Sequence, residues 1–191
     1  MTTTVPPTTE ADTPRWRGIN HLALVTTDMD ATVRFYHGTL GARLVATLGT
    51  PALRHYFFEL APQCTIAFFE YADTTLEPFT KAAGVPDQRA PQFDHVALNL
   101  PDEDSLHDLR RRLKSADCEV TDIVDHGVVR SVYFVDPNGI ALEASWWVLD
   151  STGRPADYGD SRFFADPNPV PALEELRTTG RLTSVPGTRL S

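Results

Sequence analysis

"INHLALVTTDMD" at residues 19–30 and "FDHVALNLPDED" at residues 93–104 follow the same pattern. In each stretch a histidine begins an apolar run that is typical of a buried strand, and acidic residues then precede a helical pattern. Self-similarity of this kind is the sequence signature of an internal duplication. We therefore predict two copies of one structural unit, each with a histidine at the start of its first strand.

Each copy continues with a helix and three strands. The predicted helices cover 29–40 and 103–116, and both show apolar residues at the spacing of one helical face. Asp28 is placed to cap the first helix and Gly41 to end it. A βαβββ module cannot by itself bury its helix and protect both edges of its sheet, so we expect the two modules to pair. The predicted fold is α+β, with two βαβββ modules pairing into a curved, mostly antiparallel sheet around a cleft.

Composition divides the chain around these modules. Residues 72–92 are polar and contain several prolines, which is typical of a linker. The residues after Val148 are rich in Pro, Gly and Asp, with one short helical pattern near 171–178. The predicted segments are a disordered N-terminal arm (1–17), a first module (18–71), the linker (72–92), a second module (93–148) and a C-terminal tail (149–191).

The overall charge limits the possible partners. The 191-residue chain has a formal net charge of -9, whereas a protein that binds nucleic acid needs a basic face for the phosphates. Two cysteines, Cys64 and Cys118, are too few for a disulfide framework and fit a reducing compartment. No apolar stretch reaches the ~20 residues that span a bilayer, and the N-terminus lacks the features of a signal peptide. We expect a cytoplasmic protein that binds neither nucleic acid nor membranes.

His21 and His95 occupy the same position in the two copies, so a pseudo-two-fold axis would place them opposite each other across the cleft. The strand "GIALEASWW" adds Glu143, and an acid in an apolar strand is seldom buried unless it is paired or binds a metal. Imidazole and carboxylate are common ligands of transition metals. We predict a metal site made of His21, His95 and Glu143. The alternative for a single strand histidine is an ordinary core or edge residue.

Three stretches of the chain resemble the vicinal oxygen chelate superfamily: "HLALVTTDMDATVRFYHGTLGARL", "FDHVALNL" and "YFVDPNGIALEASW". This superfamily includes glyoxalase I, methylmalonyl-CoA epimerase, fosfomycin-resistance transferases, bleomycin-binding proteins and type I extradiol dioxygenases. The resemblance covers residues 18–148. It implies paired βαβββ modules and a divalent metal that chelates two adjacent oxygens of a substrate, and its ligand positions fall on His21, His95 and Glu143.

The number of protein ligands separates branches of this superfamily. Glyoxalase I and the epimerases have a fourth ligand in the last strand of the first module, which is "CTIAFFEYA" here. Aligned by resemblance, the ligand position is Ala67, and Glu70 lies three residues later on the opposite face of the strand. We therefore expect Glu70 to be a surface acid, unless a bulge turns it towards the metal. Without it the site is a two-histidine, one-carboxylate triad, which is typical of non-haem Fe(II) enzymes and is also found in the fosfomycin transferases.

Four further residues are candidates for catalysis or substrate binding. His126 and Tyr133 resemble, in location, a second-sphere histidine and tyrosine of the extradiol dioxygenases, although the loop after His126 is shorter here. The other catalytic histidine of those enzymes would fall near Cys64, so His55 is either a substitute for it or an exposed strand residue. Arg130 is a candidate for holding a carboxylate or phenolate of the substrate, and is otherwise a surface residue.

These residues together predict a divalent-metal-dependent enzyme, with Fe(II) favoured and Mn, Ni, Zn or Co as alternatives. The favoured reaction is dioxygenase-type oxidation of a catechol-like or enolisable small molecule. One alternative is a non-oxidative enzyme, such as a glyoxalase, epimerase, isomerase or thiol transferase. Another is a small-molecule-binding protein of the bleomycin-resistance kind, without catalysis. The resemblance also implies a homodimer.

Overall fold

The computed structural model describes residues 2–4, 19–90, 93–168, 170–182 and 184–186. The chain divides into two compact units. The larger unit is Arg17–Leu149 and contains both predicted modules, and the smaller unit combines Met1–Trp16 with Asp150–Ser191. Numbered along the chain, strand β1 (Thr2–Thr4) belongs to the smaller unit, and strands β2 to β9 belong to the larger one.

The first module forms a four-stranded sheet with one helix, which we call the first sheet. In this sheet the first strand of the module pairs in parallel with the last strand. The other neighbouring strands are antiparallel. The elements are β2 (His21–Val25), α1 (Met29–Val33) with a π-helical continuation (Arg34–Thr39), β3 (Arg43–Thr50), β4 (Leu53–Ala61) and β5 (Cys64–Tyr71). The sheet order is β2-β5-β4-β3.

Hydrogen bonds define the start of α1, and a glycine defines the end of the helical segment. Asp28 Oδ1 accepts the amide N–H of Ala31 at 2.9 Å, and Glu70 Oε1 accepts that of Met29 at 3.0 Å. These bonds satisfy two amides that have no partner inside the helix. The helical segment stops before Gly41, whose φ of 77° is in the left-handed region that glycine adopts without strain. The predicted cap and stop signals are both confirmed.

The second module repeats this arrangement in what we call the second sheet. The order again places the first strand beside the last, in parallel, with antiparallel neighbours beyond. The elements are β6 (Val96–Asn99), α2 (Glu103–Ser115), β7 (Val124–Asp125), β8 (Val129–Val135) and β9 (Ala141–Trp147), in the order β6-β9-β8-β7. The α+β class and the duplication are confirmed. Strand pairing among the described residues of the larger unit gives two four-stranded sheets, so the predicted curved sheet is not one continuous ladder.

A single hydrophobic core joins the two modules. Its members come from the helices and from the strand positions that face them, and burying one large apolar side chain contributes about 1.5–3 kcal/mol. The buried members are Met29, Phe35, Tyr36, Ala42, Phe58, Ile66 and Phe68 from the first module, and Leu106, Leu113, Val132, Phe134, Leu142 and Ala144 from the second.

A buried polar network also connects the modules. The Tyr36 hydroxyl donates to Asp136 Oδ2 at 3.1 Å. The Asn138 side chain accepts from the Thr26 hydroxyl at 2.5 Å and donates to the Thr32 hydroxyl at 3.2 Å. Burial raises the pKa of Asp136, although hydrogen bonds from Asn138 and Tyr36 act in the opposite direction. The turn "DPNG" at residues 136–139 is therefore a contact between modules as well as the connection between two strands.

Gly139, the last residue of this turn, is required by its surroundings. Its φ is 81°, and a β-carbon at this position would lie 2.4 Å from the carbonyl oxygen of Phe79. Any other residue would be strained in the backbone and would collide with the segment that connects the modules. The segment predicted as a linker thus packs tightly against the second module at this point.

The smaller unit contains a two-stranded sheet and a helix. Strand β1 pairs antiparallel with β10 (Ser184–Pro186), and α3 (Pro171–Thr179) matches the helical pattern predicted near 171–178. The rest of the predicted N-terminal arm lies outside the described residues. Among the described residues no helix is long and apolar enough to cross a membrane.

We expect Tyr36→Phe to lower the free energy of unfolding by about 1–3 kcal/mol, because it leaves the buried Asp136 without one of its donors. Equilibrium urea unfolding would measure the change. Tyr71→Phe is the matched control, since the Tyr71 side chain is largely exposed and its hydroxyl has no role in the core. Equal stability of the two variants would contradict this account of the contact between modules.

Candidate metal centre

Side chains alternate between the two faces of a strand. Because Phe58, Ile66 and Phe68 of the first sheet belong to the core, their neighbours along β4 and β5 point to the opposite face. That face carries both strand histidines of the first module, and we call it the first histidine face. Its members include His21, His55, Phe57, Ala67 and Phe69.

The second sheet has an equivalent face. Val132, Phe134 and Leu142 point into the core, so the alternate residues of β8 and β9 point away from it. Tyr133 pairs with Glu143 and Ser131 pairs with Ser145 across these two strands. His95 directly precedes β6, the neighbour of β9. We call this the second histidine face; its members include His95, Ser131, Tyr133, Glu143 and Ser145.

The structure brings together two of the three predicted metal ligands. His95 Nε2 lies 2.7 Å from Glu143 Oε2. The side chain of His95 is 27% exposed and that of Glu143 is 10% exposed, so the imidazole is partly accessible and the carboxylate is nearly buried. An imidazole and a carboxylate are thus held in contact on the second histidine face.

Two serine hydroxyls donate hydrogen bonds to the Glu143 carboxylate. Ser131 Oγ donates to Oε1, and Ser145 Oγ donates to the same oxygen at 2.7 Å. Burial by itself raises the pKa of Glu143, but the bonds from Ser131 and Ser145 and the neighbouring His95 outweigh it, and the pKa is lowered overall. The carboxylate is therefore ionised at neutral pH, as a metal ligand must be.

Each predicted histidine ligand has a hydrogen-bond acceptor directly before it in the chain. His95 Nδ1 lies 2.5 Å from Asp94 Oδ1, and His21 Nδ1 lies 2.8 Å from Asn20 Oδ1. An acceptor at Nδ1 favours the tautomer that leaves Nε2 free to bind a metal. Neither acceptor is among the residues predicted from the sequence, although Asn20 and Asp94 directly precede the two histidines in the repeated stretches.

The predicted catalytic residues also lie on the second histidine face. His126 Nε2 and the Tyr133 hydroxyl are 2.8 Å apart, and the rings of Tyr133 and His95 have centroids 6.2 Å apart. Burial, together with the charge of Glu143, raises the pKa of Tyr133, so its hydroxyl keeps its proton at neutral pH. His126 is exposed and can exchange protons with solvent.

His21 does not join the His95–Glu143 pair. On the first histidine face its ring contacts those of Phe57 and His55, with centroids 5.7 Å and 6.4 Å away. Within the part of the chain that the structure describes, no three His, Cys, Asp or Glu side chains are close enough together to hold a metal ion. One chain therefore presents two ligands on one face and one on another.

His55 lies on the first histidine face and is not the exposed strand residue that the sequence also allowed. Its ring stacks on Phe69, with centroids 3.6 Å apart, and its buried Nε2 has no hydrogen-bond partner among the residues that the structure describes. Burial lowers the pKa of His55, and the neighbouring His21 adds to this effect. The His55 ring is therefore neutral, and its Nε2 lacks a hydrogen bond among the described residues.

Two other candidates point away from the histidine faces. Glu70 lies on the core side of β5, bound to the amide of Met29 and to the guanidinium of Arg54, while Ala67 lies on the first histidine face. The pairing of β4 with β5 is regular between these two positions, so no bulge turns Glu70 round.

Arg130 lies three residues before Tyr133 on β8 and therefore on the opposite face. Its guanidinium donates to Glu103 at 2.5 Å and to Asp125 at 3.1 Å. These contacts give Arg130 a role in joining β8 to α2 and to β7, away from any molecule bound beside Glu143.

The donors on the second histidine face fit a divalent ion. Zinc and similar ions bind imidazole nitrogen and carboxylate oxygen at about 2.0–2.2 Å, so two ligand atoms on one ion lie about 3 Å apart. His95 Nε2 and Glu143 Oε2 are already 2.7 Å apart, so a small opening would admit an ion between them. Ligand type, ionisation and tautomer all agree with this use.

The sequence matches one family model. The model describes the Glyoxalase/Bleomycin resistance protein/Dioxygenase superfamily and matches residues 18–144, which include both modules and Glu143. No curated protein matches the sequence.

Solved structures with the same fold cover 68–70% of this chain. A glyoxylase/bleomycin resistance protein/dioxygenase domain from Frankia sp. EAN1pec has a TM-score of 0.59 and 22% identity, covering 69% of this chain and 98% of its own. The fosfomycin resistance protein FosX from Listeria monocytogenes has a TM-score of 0.50 and 20% identity, covering 70% and 96%. Glyoxalase I from Leishmania major has a TM-score of 0.51 and 18% identity, covering 68% and 86%. At these identities the likeness concerns the fold.

We expect Ser131→Ala to raise the pKa of Glu143, because it removes a donor that stabilises the carboxylate. Since the pKa in the folded state lies below that of the unfolded chain, Glu143 stabilises the fold at neutral pH, and this contribution is lost as the pH falls through the folded-state pKa. Carboxyl carbon NMR shifts followed against pH would give the pKa. Ser115→Ala, at the exposed end of α2, is the control; an unchanged Glu143 pKa in Ser131→Ala would count against the hydrogen bond.

Proposed function

Because the chain belongs to the Glyoxalase/Bleomycin resistance protein/Dioxygenase superfamily, we propose that it is a cytoplasmic enzyme that uses a divalent metal to act on a small molecule through two adjacent oxygens. The observation that carries the proposal is the contact between His95 Nε2 and Glu143 Oε2 at 2.7 Å, beside the hydrogen-bonded pair His126 and Tyr133. Both cysteines, Cys64 and Cys118, are free, which agrees with a reducing compartment.

The proposed ligand set is His95 and Glu143 of one copy and His21 of a second copy. His21 is exposed on a face that the core leaves uncovered, and it is separate from the His95–Glu143 pair. In a two-fold symmetric dimer, a contact made by one surface on another is repeated in reverse. If the first histidine face of each copy meets the second histidine face of the other, two equal three-ligand sites result.

A second feature of the first histidine face supports burial against another surface. Val25, Leu48 and Tyr71 lie on this face and are 43%, 58% and 40% exposed. Together with the partly buried His55 and Phe69 they make an apolar and aromatic patch, and large exposed patches of this kind mark interaction sites. A second copy would cover this patch and bring its own carboxylate to His21.

When bound, a divalent ion polarises the chelated oxygens of the substrate and lowers the pKa of neighbouring groups. The chain's own residues would then handle the proton. Tyr133, with its raised pKa, donates a hydrogen bond from its hydroxyl, and His126 shares that proton across 2.8 Å. Since His126 is exposed, it can pass a proton to or from solvent, which is the role of a general acid or base.

This proton-transfer arrangement favours non-oxidative chemistry, such as isomerisation, epimerisation or addition of a nucleophile, on Mn, Ni, Zn or Co. Two proteins of the same fold are named as a glyoxalase I and a fosfomycin resistance protein, and these names agree with non-oxidative chemistry. A second candidate is the Fe(II) dioxygenase predicted from the sequence. It is favoured by Ala67, which supplies no ligand on the first histidine face, so that a two-histidine, one-carboxylate site would keep three positions open.

We expect His21→Ala and Glu143→Ala each to lose most of the metal bound by the purified protein, while His107→Ala, an exposed histidine on α2, binds as much as the wild type. If ligands come from two copies, a mixture of the two variants, unfolded and refolded together, regains about a quarter of the wild-type metal, since half of the dimers are mixed and each has one complete site. Metal analysis after dialysis gives the occupancy.

The mixing result separates the possible assemblies. No recovery of metal on mixing would contradict a site shared between copies. Full occupancy in His21→Ala alone would remove His21 from the site. A wild-type protein that binds no metal but binds an aromatic ligand would indicate the bleomycin-binding type of function instead.

Oxygen dependence is expected to separate the two reaction classes. For a non-oxidative enzyme, turnover with Mn(II), Ni(II), Zn(II) or Co(II) proceeds at the same rate under strict anaerobiosis. The measurement combines an oxygen electrode with product analysis for α-hydroxy-ketone, epoxide and catechol substrates. Stoichiometric oxygen uptake that requires Fe(II) would contradict the non-oxidative proposal and favour the dioxygenase.

A further inference from the structure

The segment between the modules contains a nearly buried lysine. The Lys81 side chain is 6% exposed, and lysine is rarely buried unless its charge is paired. Its Nζ donates to the carbonyls of Ala82 and Val85, at 3.3 and 3.2 Å, and lies 3.4 Å from Asp94 Oδ2. An ammonium has three N–H donors, so these three oxygens account for all of them.

Asp94 is held through both of its oxygens. Oδ2 faces Lys81, while Oδ1 accepts the amide N–H of Gly84 at 2.7 Å and lies 2.5 Å from His95 Nδ1. Although 47% of the Asp94 side chain is exposed, the contacts to both of its oxygens fix the direction of the carboxylate.

The two histidine positions of the duplicated fold differ in what supports them. Behind His21 the acceptor is the neutral amide of Asn20, at 2.8 Å. Behind His95 it is a carboxylate, which in turn is tied to a buried ammonium from outside the module. A carboxylate behind a metal-binding histidine fixes the tautomer and makes the imidazole a stronger donor. The hydrogen-bond acceptor behind the histidine is therefore neutral in the first module and negatively charged in the second.

We propose that Lys81 is a positioning residue, which holds Asp94 so that His95 carries its proton on Nδ1 and presents Nε2 beside Glu143. The part of this inference that concerns metal binding rests on the proposed function. Lys81 makes the segment between the modules a component of the site, and His95 becomes the stronger of the two histidine ligands. Loss of such an outer partner typically weakens metal binding about 10–100-fold.

The test compares Lys81→Met, which keeps most of the length of the side chain and removes its charge, with Lys81→Arg and Asp94→Ala. The first readout is the tautomer of His95 in metal-free protein above pH 8, from the nitrogen NMR shifts of its ring. All proteins in this readout also carry Glu143→Ala, because the Glu143 carboxylate, 2.7 Å from Nε2, competes with Asp94 for the same proton. We expect the Nδ1–H form with native Lys81 and with Lys81→Arg, a mixture of forms with Lys81→Met, and a larger change with Asp94→Ala. Lys114→Met, on the surface of α2, is the control.

Because Lys81 acts through Asp94, adding Lys81→Met to Asp94→Ala should not change the His95 tautomer further. The second readout is the dissociation constant for Zn(II), expected to rise about 10–100-fold in Asp94→Ala and by less in Lys81→Met. Asn20→Ala is expected to have a smaller effect than Asp94→Ala.

An unchanged His95 ring in folded Lys81→Met would overturn the proposal whether or not the protein binds a metal. If Lys81→Met does not fold, the decision falls to Asp94→Ala, in which an unchanged His95 tautomer would overturn it equally. A shifted tautomer in a protein that binds no Zn(II) would support the positioning role and would contradict only the proposed metal-dependent function.

Discussion

The burial of the helix-facing sides of both sheets in one core determines what the opposite sides can do. Side chains alternate along a strand, so each apolar residue committed to the core sends its neighbour to the other face. The core includes Phe68 of the first sheet and Leu142 of the second, and the adjacent residues Ala67 and Glu143 consequently lie on the histidine faces. Two surfaces that carry polar and ligand-type residues follow directly from packing.

The same constraint explains why the three residues predicted to bind a metal do not meet in one chain. The modules meet through their helices and through the turn that carries Asp136 and Asn138, so the contacts between them occur on the core side. The histidine faces are left for other partners. His95 and Glu143 are adjacent within one module, and His21 belongs to the other. In the function that we propose, these are two parts of one metal site, and a two-fold assembly is the simplest way to combine them.

Much of the fold and part of the site could be predicted from the sequence, because both depend on periodicity. The repeated histidine stretches indicated the duplication, and Asp28 and Gly41 marked the ends of the first helix. An acid in an apolar strand identified Glu143 as paired, and it is paired with His95. Contacts between side chains far apart in the sequence were not predictable in this way. Lys81 was assigned to a linker, and Arg130 was assigned to substrate although it pairs with Glu103.

The sequence by itself determined the two βαβββ units and the strand positions of the histidines, because alternation and helical spacing are local properties of the chain. Only the tertiary structure decided which of those residues meet. Pairing of β6 with β9 placed His95 against Glu143, and packing of the segment between the modules brought Lys81 to Asp94. The way the two modules pack left His21 on a separate face. The physical reason is that packing depends on the shape and burial of whole surfaces, which no short stretch of sequence encodes.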